Sequence, residues 1–294
     1  MDFAVDPDVA QALAGEDACS GPALRRDFEA TIRDLNRCQL AGRPGYFVLS
    51  GLGQLSEPES RAFVLSVAGM LGDLMPQDFQ HELVREVADR GSGLASGPSV
   101  RYSETRQGGS LHSDGCHHPQ VPDLFTLHCI RQARSGGSLL LVHVDDLIEE
   151  LSTEPDVLDA LRQQVHFDCR AGHADGVAQT VRRPVLDTSE GTARIYYMRD
   201  YIDSAHRRAE VPPLSAEQVK AFDVLDALLD GPSLQRERRL RPGEMIVVNN
   251  RSVLHGRTAF PAETGPGRLL LRTWIAAFNG RPAAGIGLSD QVKQ

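Results

Sequence analysis

The sequence has no apolar run approaching the ~18 residues that a membrane-spanning helix needs, so a bilayer-embedded helix is excluded. Positive charge is in short supply. Lys and Arg number 31 against 40 Asp and Glu, a formal net charge of −9. Such a chain has no basic excess with which to neutralise nucleic acid or an anionic membrane, and a small molecule is the expected partner. Cysteine is sparse and unpaired in pattern: Cys19, Cys38, Cys116, Cys129 and Cys169 are scattered, without the short spacings of a zinc site or a disulfide framework. The opening stretch, MDFAVDPDVAQALAGEDACSG, lacks a basic segment followed by an apolar one and does not read as a secretory signal. A reducing, cytoplasmic setting is therefore expected. There is no internal repeat and no low-complexity tract.

With 294 residues, 41% of them hydrophobic, the chain can bury a substantial core, and closed β architectures often occupy this length as one domain. One domain over residues 1–294 is expected. Residues 22–41 read as an amphipathic helix with Phe28, Ile32 and Leu35 at helical spacing, ended by Gly42 to Pro44 before the apolar strand Tyr46 to Leu49. A second helix starts at Ser56, with Glu59 three residues on in a capping-box pattern. Residues 86–110 are polar and rich in Gly and Ser, as in a loop leading to His112. Strands are expected at Leu124 to Ile130, Leu139 to Val144, Arg194 to Met198, Met245 to Asn249 and Leu269 to Phe278. Helical stretches lie near 145–164 and 215–230. Strands that flank helical insertions favour an antiparallel barrel or jelly roll with appended helices over a parallel βαβ fold. The fold class is thus mainly β with appended helices (α+β). A helix-strand segment at about 22–75 precedes a core at about 100–280, which carries a helical insertion at about 145–240.

The central chemical signal is SLHSDGCHHP. Strand residues two apart share a face, so His112 and Asp114 can approach one metal ion, and a histidine from a distant strand would complete a three-ligand face. Two histidines and one carboxylate leave three positions of an octahedral iron(II) open, which suits a bidentate 2-oxo acid and O₂. Alone, the HxD triplet is weak evidence and reads more readily as a surface loop with a histidine and an acid. The segment RPGEMIVVNNRSVLHGRTAF adds His255 beyond an apolar strand, and GRLLLRTWIAAF follows with Arg268 and Arg272. Four apart on a strand, these arginines share a face at a separation of ~13 Å and suit two different anionic groups. One guanidinium can pair bidentately with the far carboxylate of 2-oxoglutarate, and the other can hold an acidic group of the substrate. A surface role in balancing acids is the plainer alternative for each. His117, His118 and His128 are as well explained by pocket lining or core packing as by ligation. RIYYMRDYIDSAHRR, with Tyr196, Tyr197, Arg199, Tyr201 and Arg207, is either a substrate entrance or a packed face. Trp274, the only tryptophan, reads as a packing residue. Two other classes compete: a zinc hydrolase or lyase using the same three ligands, and a non-catalytic jelly-roll binding protein.

On the text SLHSDGCHHPQVPDLFTLHCIRQARSGGSLLLV, RLRPGEMIVVNNRSVLHGRTAF and GRLLLRTWI, the chain resembles the taurine dioxygenase (TauD/TfdA-like) family of Fe(II)/2-oxoglutarate oxygenases, with a region similar to γ-butyrobetaine hydroxylase. The likeness covers roughly residues 100–145 and 240–278, and more loosely 25–53. It implies a double-stranded β-helix (jelly-roll, cupin-like) core, iron ligation by His112, Asp114 and His255, and 2-oxoglutarate binding by Arg268. It further implies an anion-gripping role for Arg272; Arg199 and Tyr201, from the aromatic- and arginine-rich segment above, are further candidates at the substrate. Relatives often carry Ser or Thr second after the GG pair, whereas Gly136 and Gly137 are followed directly by Ser138, the candidate for a hydrogen bond to 2-oxoglutarate. The implied reaction takes iron(II), 2-oxoglutarate and O₂, oxidises an unactivated C–H bond, and releases succinate and CO₂. Hydroxylation of a small anionic substrate, such as an amino acid or another small carboxylic acid, is the leading expectation, with desaturation or cyclisation as alternatives. Asp114 fills the position that halogenating relatives leave to a halide, which disfavours halogenation.

Overall fold

The computed structural model describes residues 1–15, 22–78, 80–91, 102–170 and 178–277. In chain order it contains β1 (Asp2–Ala4), α1 (Pro7–Ala14), α2 (Pro22–Leu35), β2 (Tyr46–Ser50), α3 (Glu57–Leu71), β3 (Gly72–Met75), β4 (Arg85–Ala88), β5 (Gly109–His112), β6 (Leu124–Arg131) and β7 (Leu139–His143). These are followed by α4 (Val144–Leu151), α5 (Pro155–Leu161), β8 (Gln164–Asp168), β9 (Thr180–Pro184), β10 (Leu186–Asp187), β11 (Arg194–Ile195), α6 (Arg199–His206), α7 (Ala216–Asp230), β12 (Arg236–Arg238), β13 (Met245–Asn249), β14 (Val253–Arg257) and β15 (Leu269–Ala277).

Two sheets organise the molecule. The larger runs β1-β2-β13-β6-β15-β3, with β4 also paired to β15, and the smaller runs β12-β7-β14-β5. Every pairing in them is antiparallel except β1 with β2. Side-chain alternation explains why the strands of the larger sheet read as unbroken apolar runs. In β13, Ile246 and Val248 join a core shared with Leu139, Leu141 and Val253 of the smaller sheet, so the two sheets face each other. Met245 and Val247, on the opposite face, pack against helices α1 to α3. The outer face of the smaller sheet, with Leu111, Val142 and Leu254, is covered in turn by α4 to α7 and β8. Each fully buried Leu, Ile or Val in these layers contributes roughly 1.5–3 kcal/mol. The result is helices, sheet, sheet, then helical insertion.

Local signals are realised where the sequence placed them. Ser56 donates its backbone N–H to Glu59 Oε2 at 2.8 Å, closing the capping box of α3, whose Phe63, Val64, Val67 and Leu71 form the buried stripe. Other expectations shift. The helix expected over 22–41 is α-helical to Leu35 and then widens into a π-type turn, Asn36–Leu40. The strand expected from Arg194 to Met198 ends at Ile195, because Arg199 already opens α6. The insertion is less purely helical than its sequence suggests, since it carries the β8–β9 and β10–β11 pairs. The Gly- and Ser-rich stretch lies outside the described residues over 92–101, as do Cys19 and Phe278.

Candidate metal centre

His112 is the last residue of β5 and lies opposite His255 of β14, so the register of the smaller sheet brings two histidines side by side, rings 4.4 Å apart. His112 donates its Nδ1–H to the carbonyl of Ser110 at 2.8 Å, which leaves the Nε2 lone pair free. Asp114 is not on the strand with His112, as its spacing suggested, but in the turn beyond it. That turn is tied down on both sides. Ser113 donates its N–H to the Tyr197 carbonyl at 3.0 Å, and its Oγ accepts from Tyr197 N–H at 2.9 Å. Asp114 donates its own N–H to Asn250 Oδ1 at 2.8 Å, while Asn250 Nδ2 donates to the carbonyls of Asp114 at 2.9 Å and Pro122 at 2.8 Å. Gly115 follows at φ +67°, where a Cβ would lie 2.6 Å from Pro122 Cδ.

This anchoring aims the Asp114 carboxylate between the imidazoles. Nε2 of His112 and Nε2 of His255 each lie 3.8 Å from Asp114 Oδ1, and one ligand atom from each of the three residues falls within 4.8 Å of the others. From behind, Arg272 Nη1 donates to Oδ1 at 3.0 Å and Oδ2 at 3.2 Å, and Trp274 Nε1–H donates to Oδ2 at 2.9 Å. Arg272 is itself held by Gln77, whose Oε1 accepts from its Nε at 2.8 Å. Burial pushes the Asp114 carboxyl up, but Arg272 and the two imidazoles outweigh it and hold the group well below the usual carboxylate range. Burial, with His112 beside it, brings His255 down to about 3. An ionised carboxylate and a neutral imidazole are the protonation states that metal ligation requires.

Arg268 enters the same cavity from the start of β15. It is 2% exposed, donates from Nε to Gln132 Oε1 at 3.1 Å and from Nη2 to the Gly137 carbonyl at 3.3 Å, and leaves Nη1 buried without a partner. Burial, with Arg257 nearby, lowers it to about 9. A buried guanidinium with an idle donor and no paired carboxylate among the described residues suits an anion. Gly137 makes room for it, and Gly136 for the neighbouring main chain. Gly136 (φ +65°) carries no Cβ where one would lie 2.0 Å from the Ala259 carbonyl, and at Gly137 (φ +70°) a Cβ would stand 3.1 Å from Arg268 Nε.

The remaining candidates separate. The cavity over the triad is lined by Arg268, Arg272 and Tyr201 among others, and Tyr201 is buried edge-on against His117, with ring centroids 4.7 Å apart. Ser138 does not line the cavity. Its N–H and carbonyl are paired with Thr258 at 3.0 and 2.9 Å. Arg199, two residues before Tyr201, points to another side of α6, where it binds Asp203 at 3.1 Å, Asp223 at 3.0 Å and Asp226 at 2.8 Å. It belongs to the α6–α7 packing and is not brought to the cavity. His117 lines the cavity, His118 lies edge-on to Trp274, and His128 is buried in β6. Two residues with no expected role at the site stand against Asp114. Trp274 was expected only to pack, and Asn250 was readable only as the second Asn of VVNN.

Two imidazoles and one carboxylate suit a divalent first-row metal, and the idle donor of Arg268 suits the far carboxylate of a chelating co-substrate, so the residues present fit iron(II) with 2-oxoglutarate. Comparisons with known proteins point the same way. A family model described as "Taurine catabolism dioxygenase TauD, TfdA family" matches residues 25–274. FR-33289 synthase of Streptomyces rubellomurinus is 28% identical over 225 residues, 74% of this chain but 64% of that protein, so the match leaves over a third of the relative uncovered. Uridine-5'-phosphate dioxygenase of an Amycolatopsis species is 24% identical over 264 residues, 88% of this chain and 93% of that one. Among solved structures, asparagine oxygenase in complex with Fe(II), 3-hydroxyasparagine and succinate superposes with a TM-score of 0.70 at 20% identity, covering 94% of this chain and 93% of that one. That likeness establishes a shared fold.

Proposed function

This chain belongs to the taurine catabolism dioxygenase TauD, TfdA family, and from that premise we propose that it is an Fe(II)/2-oxoglutarate-dependent dioxygenase acting on a small anionic substrate. The two facing sheets support reading the core as a double-stranded β-helix, or jelly roll, within one oxygenase domain. His112, Asp114 and His255 are the proposed metal ligands, and Arg268 the holder of the co-substrate's far carboxylate. Bound there, iron(II) and 2-oxoglutarate supply the oxidising chemistry: O₂ is consumed, succinate and CO₂ leave, and an unactivated C–H bond is oxidised, most simply by hydroxylation.

The chain's own residues position and shield. Arg268 fixes the depth at which a five-carbon dicarboxylate can sit, because its Nη1 is idle while Nε and Nη2 each hold a partner. Asn250 and Ser113 hold the ligand-bearing turn against two separate elements. Tyr201 and Trp274, 7% and 3% exposed, wall the cavity from water. Arg272 spends Nη1 on Asp114 and Nε on Gln77. Three arginines line the cavity against one carboxylate, Asp114, among its described residues. That balance favours a substrate bearing a carboxylate or phosphate, the latter in keeping with the relative named for uridine 5'-phosphate.

The observation that carries the proposal is the buried Nη1 of Arg268, without a hydrogen-bond partner among the described residues, in one cavity with the three ligand candidates. A zinc hydrolase has no use for it. Anaerobic titration with iron(II) and 2-oxoglutarate is expected to raise the weak visible charge-transfer band of a chelated 2-oxo acid, followed by O₂-dependent succinate release. Absence of both the band and succinate sinks the proposal.

A further inference from the structure

The indole of Trp274 donates its only N–H to Asp114 Oδ2 at 2.9 Å, while Asp114 Oδ1 is the oxygen that stands 3.8 Å from both imidazole Nε2 atoms. We propose that Trp274 is a positioning residue for the metal centre: its N–H holds back one oxygen of the Asp114 carboxylate so that a single oxygen is presented to the metal. The inference rests on the reading of His112, Asp114 and His255 as ligands. A carboxylate left to itself swings about its last side-chain torsion, a broad and weakly restricted rotation, and can offer two oxygens to a cation as readily as one. For a site that must keep several coordination positions open, that freedom is a fault, and an N–H fixed behind one oxygen removes it.

The geometry makes the indole a rigid donor. Trp274 is 3% exposed and lies in the middle of β15, its backbone paired with Phe125 on one side and Met75 on the other. The Arg272 guanidinium stacks over its ring at 4.9 Å, and His118 meets it edge-on at 5.2 Å. Its far edge lies 3.5 Å from where a Cβ on Gly115 would be, in the turn that carries Asp114. The ring has no room to turn its N–H elsewhere. Arg272 donates to both carboxylate oxygens and so supplies charge without choosing between them, at 3.0 and 3.2 Å. The choice of oxygen is left to Trp274. A buried indole N–H normally finds some acceptor, and any backbone carbonyl would satisfy it. Here the acceptor is a carboxylate oxygen of a ligand candidate, which makes the bond charge-assisted and strong.

The chain contains one tryptophan, so this site can be altered at a single atom. Replacing tryptophan biosynthetically with β-(benzothien-3-yl)alanine exchanges the indole N–H for sulfur in a ring of nearly the same shape, and Trp274→Phe removes the donor by mutation. Cobalt(II) and manganese(II) affinities are measured by calorimetry, and the coordination of the cobalt form by its visible d–d absorption. Both altered proteins are expected to bind cobalt about 10-fold more weakly, in the range of other outer-shell partners of metal ligands, and to show a changed d–d spectrum as the freed oxygen joins the metal. An unchanged affinity and spectrum in the benzothienyl protein overturns the positioning role. Failure of Trp274→Phe to fold leaves the benzothienyl protein to decide. Asp114→Ala in the otherwise native chain separates the two readings: if it binds cobalt as tightly as the native protein, the ligand assignment itself is wrong and the role of Trp274 falls with it.

Discussion

Asn250→Ala tests how firmly the turn that carries Asp114 is held. Its side chain, 3% exposed, makes three hydrogen bonds to main chain, one accepted from Asp114 N–H and two donated to the carbonyls of Asp114 and Pro122. Truncation removes all three and strands buried groups that no water can reach without opening the turn. Taking roughly 1 kcal/mol of net stability for each bond sets a floor of about 3 kcal/mol, and the desolvation cost of the stranded groups raises it toward about 5 kcal/mol. A domain of this kind is stable by only about 5–15 kcal/mol, so the loss is a large share of the total. With a urea slope near 3 kcal/mol/M, the midpoint of equilibrium unfolding falls by about 1 M or more at unchanged slope. The same variant loosens Asp114 and is expected to weaken divalent-metal binding measured at low temperature, where it remains folded. A midpoint within about 0.3 M of the native protein would falsify the anchoring role.

Three further outcomes follow from the geometry. Arg268→Lys keeps the charge but loses the planar fork, and the dissociation constant for 2-oxoglutarate, titrated anaerobically with iron(II), is expected to rise about 10- to 100-fold; an unchanged constant places the co-substrate elsewhere. His128 is brought down to about 4 by burial from an ordinary value of 6.5. Its folded value lies below its unfolded one, so between about pH 6.5 and 4 the unfolded chain binds more protons and stability falls on acidification, while above that window the contribution is flat. In His128→Leu the slope of unfolding free energy against pH over that window should shrink, and an identical slope refutes the assignment. Arg199→Ala breaks three partly exposed ion pairs and is expected to cost about 1 kcal/mol or less in thermal unfolding. It should leave 2-oxoglutarate and substrate affinity unchanged, and a loss of affinity would return Arg199 to the cavity.

The sheets were legible because their cause is local. Strands such as Met245–Asn249 are buried on both faces and so carry uninterrupted apolar text, and the HxD, HGRTxF and RxxxR spacings survive as short strings. The closing of the site was not legible in the same way. Asp114 lies off the strand because Gly115 turns the chain there, and no spacing rule reports that Asn250, 136 positions away, ties it down. Trp274 and Arg199 show the limit from both sides. An aromatic beside Arg272 looked like packing until the indole N–H was seen to end on Asp114, and an arginine in an aromatic-rich stretch looked like a binding residue until three aspartates from α6 and α7 enclosed it. Partner identity is a property of the assembled chain, and single-residue chemistry does not contain it.

The constellation straddles a seam. His112 and His255 belong to the smaller sheet, Arg272 and Trp274 to the larger, and Asp114 to the turn that bridges them, so the apolar layer of Leu139, Leu141, Ile246 and Val248 sets the gauge of the site as a spacer sets the gap of a jaw. Trimming a methyl from that layer, at a distance from any reacting atom, would let the jaws close or skew, and the chemistry would register it before the fold did. Conversely, a metal held at the proposed ligands would act as a rivet: its binding free energy would add to the cohesion of the whole sandwich, and a chelator should then soften strands that never touch it.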